Sequence, residues 1–247
     1  MSQKWKNRLV TLVCVALIVG GVGWLVHGRV LNMVARYQQI KAADQPISQK
    51  APKHAHYNAK AITDVDDGDI AKAMGQGHTP VIGKIAVPAL GIKLPVFAPA
   101  SGQAAYNDML YGACEVKANQ TMGGKYNYGL ASHHMLGANL CFTPLMHAKV
   151  GQIIYLTNGK RIYKYRINKV FVVNASQTNV LENQGHKRMV TLVTCTSYEH
   201  VNTRKIVQGK YVGSKPFKSK WMHYFKSQMN GYKMVKSVFA AWNEPAQ

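Results

Sequence analysis

The first strong hydrophobic feature of the chain is an uninterrupted apolar run near its N-terminus. Residues 9–26, LVTLVCVALIVGGVGWLV, contain no charged side chain. At about 1.5 Å per residue a helix of this length spans about 27 Å, close to the roughly 30 Å hydrocarbon core of a bilayer. A secretory signal peptide would need a small-residue cleavage site directly after the run, and VHGRVLNMV offers none. We therefore predict an uncleaved transmembrane anchor over 9–26, with 1–8 as a short cytoplasmic tail and the body of the chain outside.

A more polar segment, residues 27–78, separates this anchor from the first strand-like pattern, and we assign it as a linker or stalk. The stretch MVARYQQIKAA, residues 33–43, is able to continue the anchor as a helix. Residues 62–75, ITDVDDGDIAKAMG, carry acidic side chains in what would be the first turn and Gly75 at the end, which predicts a short helix.

From residue 79 the pattern changes to short apolar runs separated by turn residues. Asn158-Gly159 lies between two alternating runs and predicts a hairpin turn with positive φ at both residues. Six or seven strands with only short helices between them predict an all-β domain over 79–213, most simply a small closed barrel. The runs are residues 81–90, 92–99, 126–133, 152–173, 189–195 and 204–213.

The chain ends in a basic and aromatic extension, residues 214–247. Its amphipathic spacing is irregular, and it is compatible with a helix packed on the barrel or a disordered tail. The alternative is an interfacial helix that rests on anionic membrane.

Composition adds a strong positive charge to this organisation. Lys and Arg total 31 against 10 Asp and Glu, a formal net charge of +21, which attracts polyanions. No zinc-finger or RNA-recognition signature is present, so we predict no nucleic-acid partner. The cysteines show no metal-binding or redox spacing, although a Cys114–Cys141 disulfide stays open.

Cys195 is the residue that suggests chemistry, because it ends an apolar run and is followed at once by polar residues. The alternative is a structural cysteine. A nucleophilic thiol needs a base and a stabiliser of charge. His133 and His134 end another predicted strand, and strand alternation lets only one of the two rings face the thiol. Arg204 opens the strand that follows Cys195 and is a candidate positive stabiliser.

These segments together resemble the class A, or housekeeping, sortases over residues 80–213. The resemblance implies an eight-stranded barrel and a membrane-anchored cysteine transpeptidase without a cofactor. Such an enzyme cleaves surface proteins at a Leu-Pro-X-Thr-Gly (LPXTG) sorting signal and transfers them to an amine of the cell-wall precursor lipid II. The matching segments are IGKIAVPALGIKLPVF, NQTMGGKYNYGLASHHM, FTPL, VGQIIYLTNGKRIYKY, TLVTC and RKIVQG.

The resemblance also implies roles for individual residues. By motif position Cys195 is the nucleophile, His133 is the general acid and base, and Arg204 stabilises the oxyanion or holds the substrate backbone. The implied substrate contacts are Thr194 in TLVTC, Ala131 before the histidine pair, and Val180 and Leu181 in the loop of residues 173–188.

Some class A sortases bind calcium through a carboxylate cluster, and the corresponding segments here offer only Glu115 and Glu182. Two carboxylates make a poor calcium site, so we predict no calcium dependence.

Three rival interpretations remain. A papain-like protease would place its cysteine on a helix and before the histidine, and a non-enzymatic wall-binding protein would need neither Cys195 nor Arg204. A pilin-polymerising sortase would usually carry an Asp-Pro-aromatic lid motif, which residues 27–80 lack.

Overall fold

The computed structural model describes residues 3–48, 77–99, 102–135, 139–197, 202–218 and 225. The helix predicted over 62–75 and nearly all of the extension at 214–247 lie outside the described residues. The helices are α1 (Gln3–Ala43) and α2 (Gly102–Tyr111), and three short 3₁₀ turns cover Pro88–Leu90, Thr143–His147 and Thr178–Leu181. The strands are β1 (Val81–Val87), β2 (Ile92–Phe97), β3 (Ala113–Glu115), β4 (Asn127–Ala131), β5 (Ile153–Thr157), β6 (Arg161–Asn174), β7 (Met189–Cys195) and β8 (Thr203–Pro216).

The eight strands close into one barrel in the order β1-β2-β3-β4-β7-β8-β6-β5. The β2–β3 and β4–β7 pairs are parallel, and the other pairs are antiparallel. Alternate side chains of each strand point into the barrel. They form a core that includes Leu130, Leu156, Leu192 and Val207. The predicted all-β, closed eight-stranded barrel is therefore confirmed.

A second apolar group, which we call the outer cluster, covers part of the outside of the barrel. Its strand residues include Ala131, Val193 and Ile206, and its helical residues include Ala42 of α1 and Tyr106 of α2. Leu192 and Val193 belong to different clusters because neighbouring residues of a strand face opposite ways. The face of β7 that carries Val193 is consequently the face covered by the two helices.

Helix α1 continues well beyond its apolar part. An 18-residue window of α1 has a mean hydropathy of 2.6 and none of it is buried, so by length and composition this part could cross a membrane. The second part packs on the barrel, with Val34, Ala35, Gln39 and Ile40 all buried. The segment 33–43 that was able to continue the helix is thus helical, and α1 links the candidate anchor directly to the folded body.

Strand β3, near the site, gave no usable sequence signal, and one turn differs from its prediction. Strand β3 has three residues and only two of them pair with β2, which is too short to show a period. Gly159 has φ of 81°, but Asn158 has no positive φ, so the prediction for that residue was wrong. The Asn158 Oδ1 atom instead accepts hydrogen bonds from the backbone N–H groups of Lys160 and Arg161, and this side-chain turn needs only one left-handed residue.

The described cysteines are all free thiols, so no disulfide joins Cys114 and Cys141. Cys114 is on β3, and Cys141 lies two residues before the 3₁₀ turn Thr143–His147. Both are buried in the outer cluster.

Candidate active site

Cys195 is the last residue of β7, which lies between β4 and β8 in the barrel. Every residue of β7 is buried, and Cys195 is 5% exposed. The strand is buried on both faces because the barrel core lies on one side and the outer cluster on the other. Alternation places Cys195 on the same face as Val193, and therefore on the outside of the barrel.

Arg204 lies directly opposite Cys195, because the antiparallel register of β7 and β8 pairs these two residues. Directly opposed residues present their side chains on the same face, with Cβ atoms about 4.5–5.5 Å apart. The base of the connecting loop is closed by a hydrogen bond between the hydroxyl groups of Thr196 and Thr203. Arg204 is 7% exposed, and its Nη1 donates to the Thr203 carbonyl at 3.2 Å. A cation and a thiol thus share one face at the rim of the barrel.

The histidine pair follows β4, which runs parallel to β7. Ala131 pairs with Val193, and the Ser132 N–H donates to the Val193 carbonyl at 3.2 Å. His133 and Cys195 each lie two residues further along, so alternation puts them level with each other and on one face. His134 points elsewhere, and its Nδ1 donates to the backbone carbonyl of Cys195 at 3.0 Å. The two rings therefore have different positions: alternation puts His133 on the face of the thiol, and the His134 ring bonds the Cys195 backbone.

The ring of His133 is held by α2. His133 is 1% exposed, and its Nε2 lies 3.2 Å from the backbone carbonyl oxygen of Tyr106. The two rings meet edge to face, with centroids 4.6 Å apart. Because a carbonyl oxygen can only accept, Nε2 must carry the hydrogen of this bond. The nitrogen that exchanges a proton is then Nδ1. Nothing in the sequence marks Tyr106 as a partner of His133, because the contact uses its backbone.

The four residues expected to contact substrate lie in three places. Ala131 is buried on the same face as Val193, beside the thiol. Thr194 is 2% exposed, and alternation directs its side chain to the opposite face from Cys195. Its Oγ1 is buried and has no hydrogen-bond partner among the described residues. Val180 and Leu181 belong to the 3₁₀ turn in the loop between β6 and β7.

That loop is fastened across the outer face of β4, β7 and β8. The Val180 carbonyl accepts hydrogen bonds from the side-chain amides of Asn127 on β4 and Gln208 on β8, at 3.3 and 3.5 Å. The Leu181 carbonyl accepts from Gln120 at 2.8 Å, and Leu181 itself packs in the outer cluster. The loop therefore lies against the outer face of the strands that carry the thiol.

The two carboxylates considered for calcium are already engaged. Glu182 forms an ion pair with Lys117. Glu115 accepts a hydrogen bond from the Tyr128 hydroxyl at 2.7 Å, and its burial raises the pKa of its carboxyl group to about 7. Calcium prefers six to eight oxygen ligands, several of them ionised. Within the described residues no group of three or more His, Cys, Asp or Glu side chains is placed to hold a metal ion, so these residues do not fit a calcium site.

Comparison with known proteins identifies relatives of this barrel. Residues 85–212 match the family model of the sortase domain. Sortase A of Streptococcus agalactiae serotype III (strain NEM316) is 32% identical over 198 residues, which cover 76% of this chain and 78% of the relative. Sortase A of Bacillus anthracis is 30% identical over 214 residues, covering 85% of this chain and 98% of the relative. The crystal structure of Listeria monocytogenes sortase A matches with a TM-score of 0.55 and 32% identity, over 60% of this chain and 99% of that one.

Proposed function

The chain belongs to the sortase family, in its class A branch, and is a cysteine transpeptidase of cell-wall sorting; on this premise we propose that it cleaves an LPXTG-type sorting signal between Thr and Gly and joins the protein to an amine of lipid II. The observation that supports the proposal best is the arrangement of Cys195, Arg204 and His133. Cys195 and Arg204 are paired at one rim of the barrel, and alternation continued from the Ala131–Val193 pair puts His133 on the same outer face. A nucleophile, a cation and an acid–base group on one face are what acyl transfer requires.

Cleavage starts with the Cys195 thiolate, whose proton has passed to the Nδ1 atom of His133. The Sγ atom attacks the Thr carbonyl carbon of the signal, and the oxygen becomes an oxyanion beside the Arg204 guanidinium. Collapse of this intermediate breaks the Thr–Gly bond. The protonated imidazole gives its proton to the departing Gly nitrogen, since an amide anion is too poor a leaving group. A thioester on Cys195 remains.

Transfer reverses these roles. The amine of the wall precursor attacks the thioester carbon and loses a proton to His133, and the carbon–sulfur bond breaks to release the Cys195 thiolate. The Tyr106 carbonyl keeps the Nε2–H of His133 in place, so Nδ1 is the proton carrier in both halves of the reaction. The nearly complete burial of His133 supports this role, because bulk water then competes less for the proton.

We further propose that the first part of α1 crosses the cell membrane, with the N-terminus inside and the barrel on the outer face. The support is the apolar and unburied window of α1. In this arrangement sorting signals and lipid II meet the thiol at the outer face of the cell membrane.

The proposal is tested with the full-length protein in detergent, an LPXTG peptide and an amine acceptor. Mass spectrometry should show a thioester on Cys195 and then the transfer product. A peptide with a scrambled signal is the control. Turnover of both peptides at equal rates, or product without a Cys195 adduct, would contradict the assignment.

Arg204→Lys should lower turnover about 10²–10³-fold, the usual effect of removing one oxyanion donor. Lysine keeps the charge but loses the planar fork that can hold two acceptors at once. Steady-state kcat and the alkylation rate of Cys195 are the measurements. A nearly normal kcat would show that Arg204 supplies only positive charge, as the rest of this +21 chain also does.

Calcium or a chelator should change the transfer rate by less than about twofold, because Glu115 and Glu182 are engaged and too few. The check is the transfer rate with calcium above the roughly millimolar dissociation constants of extracellular calcium modules, compared with the rate in excess chelator. A large and saturable activation by calcium would contradict it.

A further inference from the structure

The barrel end of α1 makes a polar contact with the outer cluster. Gln39 is buried, and its Nε2 donates to the Sγ atom of Cys141 at 3.0 Å. A buried side-chain amide normally finds a strong oxygen partner, and here a thiol takes that place. The same helix carries the candidate membrane span at its other end.

Cys141 in turn contacts helix α2. Its thiol lies 3.3 Å from the Met109 carbonyl and 3.2 Å from the Leu110 carbonyl, so it donates to the C-terminal part of that helix. Burial raises the pKa of the Cys141 thiol to about 12, so the thiol keeps its hydrogen at neutral pH. Cys141 also has φ of 50°, and no other described non-glycine residue has a positive φ. An unfavourable backbone conformation persists where surrounding contacts fix it.

The Met109 carbonyl oxygen also binds the segment that carries His133. It accepts hydrogen bonds from the Ser132 hydroxyl at 3.1 Å and from the His133 backbone N–H at 3.4 Å. One turn earlier on α2, the Tyr106 carbonyl accepts from the His133 ring. Both ends of His133, backbone and imidazole, are therefore held by the helix that Cys141 contacts.

We propose that Gln39 and Cys141 are positioning residues, through which the barrel end of the anchor helix holds His133 in register with Cys195. The path consists of the Gln39 amide, the Cys141 thiol, the Met109 carbonyl and the His133 N–H. This inference rests on the proposed role of His133 in catalysis. Its consequence is that α1 contributes to turnover as well as to attachment, because loosening its barrel end frees the imidazole from its working position.

The chain provides matched controls for both residues. Gln38 is the same residue type as Gln39, lies one position earlier on α1 and is half-buried. Within the described residues the hydrogen bond from α1 to the Cys141 thiol comes from Gln39 and not from Gln38. Cys114 is a second buried thiol of the outer cluster, and within the described part of the chain its hydrogen bond is a long one, 3.8 Å to the Ala105 carbonyl. Gln39→Ala is therefore compared with Gln38→Ala, and Cys141→Ala with Cys114→Ala.

The test uses full-length protein in detergent micelles with a sorting-signal peptide and an amine. In Gln39→Ala and Cys141→Ala we expect kcat to fall about tenfold and KM to change by less than about twofold, since misplacement of a reacting group by 1 Å can cost as much as 10²-fold. Cys141→Ser should recover part of the loss, because its hydroxyl can also donate to the carbonyls. Both control variants should keep normal kcat.

A second measurement reports on the ring directly. The ¹⁵N shifts of labelled histidine give the shares of the two neutral tautomers, and the Nε2–H form of His133 should dominate in the wild type. We expect that share to fall in Gln39→Ala and Cys141→Ala but not in the two controls. A merely structural role would lower Tm and leave the tautomers and kcat unchanged, which would overturn the proposal.

The outcomes separate this proposal from the proposed function. Wild-type kcat and tautomer shares in Gln39→Ala and Cys141→Ala, or equal losses in Gln38→Ala, would refute the positioning role. If the wild type failed to process any sorting signal while the His133 tautomers still responded to Gln39→Ala, the proposed reaction would be wrong and the positioning contact would stand.

Discussion

Replacing Cys195 with alanine should abolish both cleavage and transfer while the barrel stays folded. Cys195 is the cysteine that the register of β7 and β8 sets opposite Arg204. Without it no thioester can form, and the two half-reactions have no common intermediate. The side chain is small and at the end of a strand, so its loss removes little packing. Product formation is measured by mass spectrometry and folding by the thermal unfolding curve.

The control for this variant is the loss of another thiol. Cys114→Ala and Cys14→Ala should keep transfer activity, because Cys114 lies on β3 in the outer cluster and Cys14 in the apolar part of α1. Residual transfer by Cys195→Ala above a few per cent of the wild type, with the protein folded, would exclude Cys195 as the nucleophile.

The barrel was predictable because its strands are local patterns. The runs of β6 and β7 alternate or remain apolar over at least seven residues, and such runs identify strands without knowledge of their partners. The position of the thiol at the end of β7 follows from the same pattern. The register that sets Arg204 opposite Cys195 is a further step, since it depends on the length of the loop between β7 and β8.

The contacts that hold the site residues in place were not predictable from the sequence, because they join residues that are far apart along the chain. Gln39 and Cys141 are 102 residues apart in sequence, and Tyr106 meets His133 through a backbone carbonyl that any residue would provide. Helix α2 has a weak amphipathic pattern and follows β2 after a short connection, and the sequence analysis assigns no element to its ten residues. Tertiary contacts of this kind leave no period in the sequence.

His133→Ala should lower transfer about 10²–10⁴-fold, the range that general acid–base groups contribute. His134→Ala should cost about threefold or less, because it removes a single hydrogen bond to a backbone carbonyl. The difference follows from the strand geometry: Ala131 pairs with Val193, so His133 is level with Cys195, whereas the His134 ring bonds the Cys195 backbone. The measurements are kcat and KM of each variant with one sorting-signal peptide and one amine.

The pH profile distinguishes loss of the proton carrier from loss of support. A His133→Ala enzyme should lose the part of its kcat/KM profile that depends on imidazole titration, while His134→Ala should keep the wild-type shape. If instead His134→Ala lost activity and His133→Ala retained it, the second histidine would be the base and the alternation beyond Ala131 would be broken. Equal losses in both variants, with normal unfolding curves, would mean that turnover depends on the His134 contact with the Cys195 backbone as much as on the His133 ring. The hydrogen bonds of His133 favour loss of activity in His133→Ala and not in His134→Ala. His133 is held at both its backbone N–H and its Nε2, and a ring fixed in this way keeps Nδ1 at one place throughout the two proton transfers.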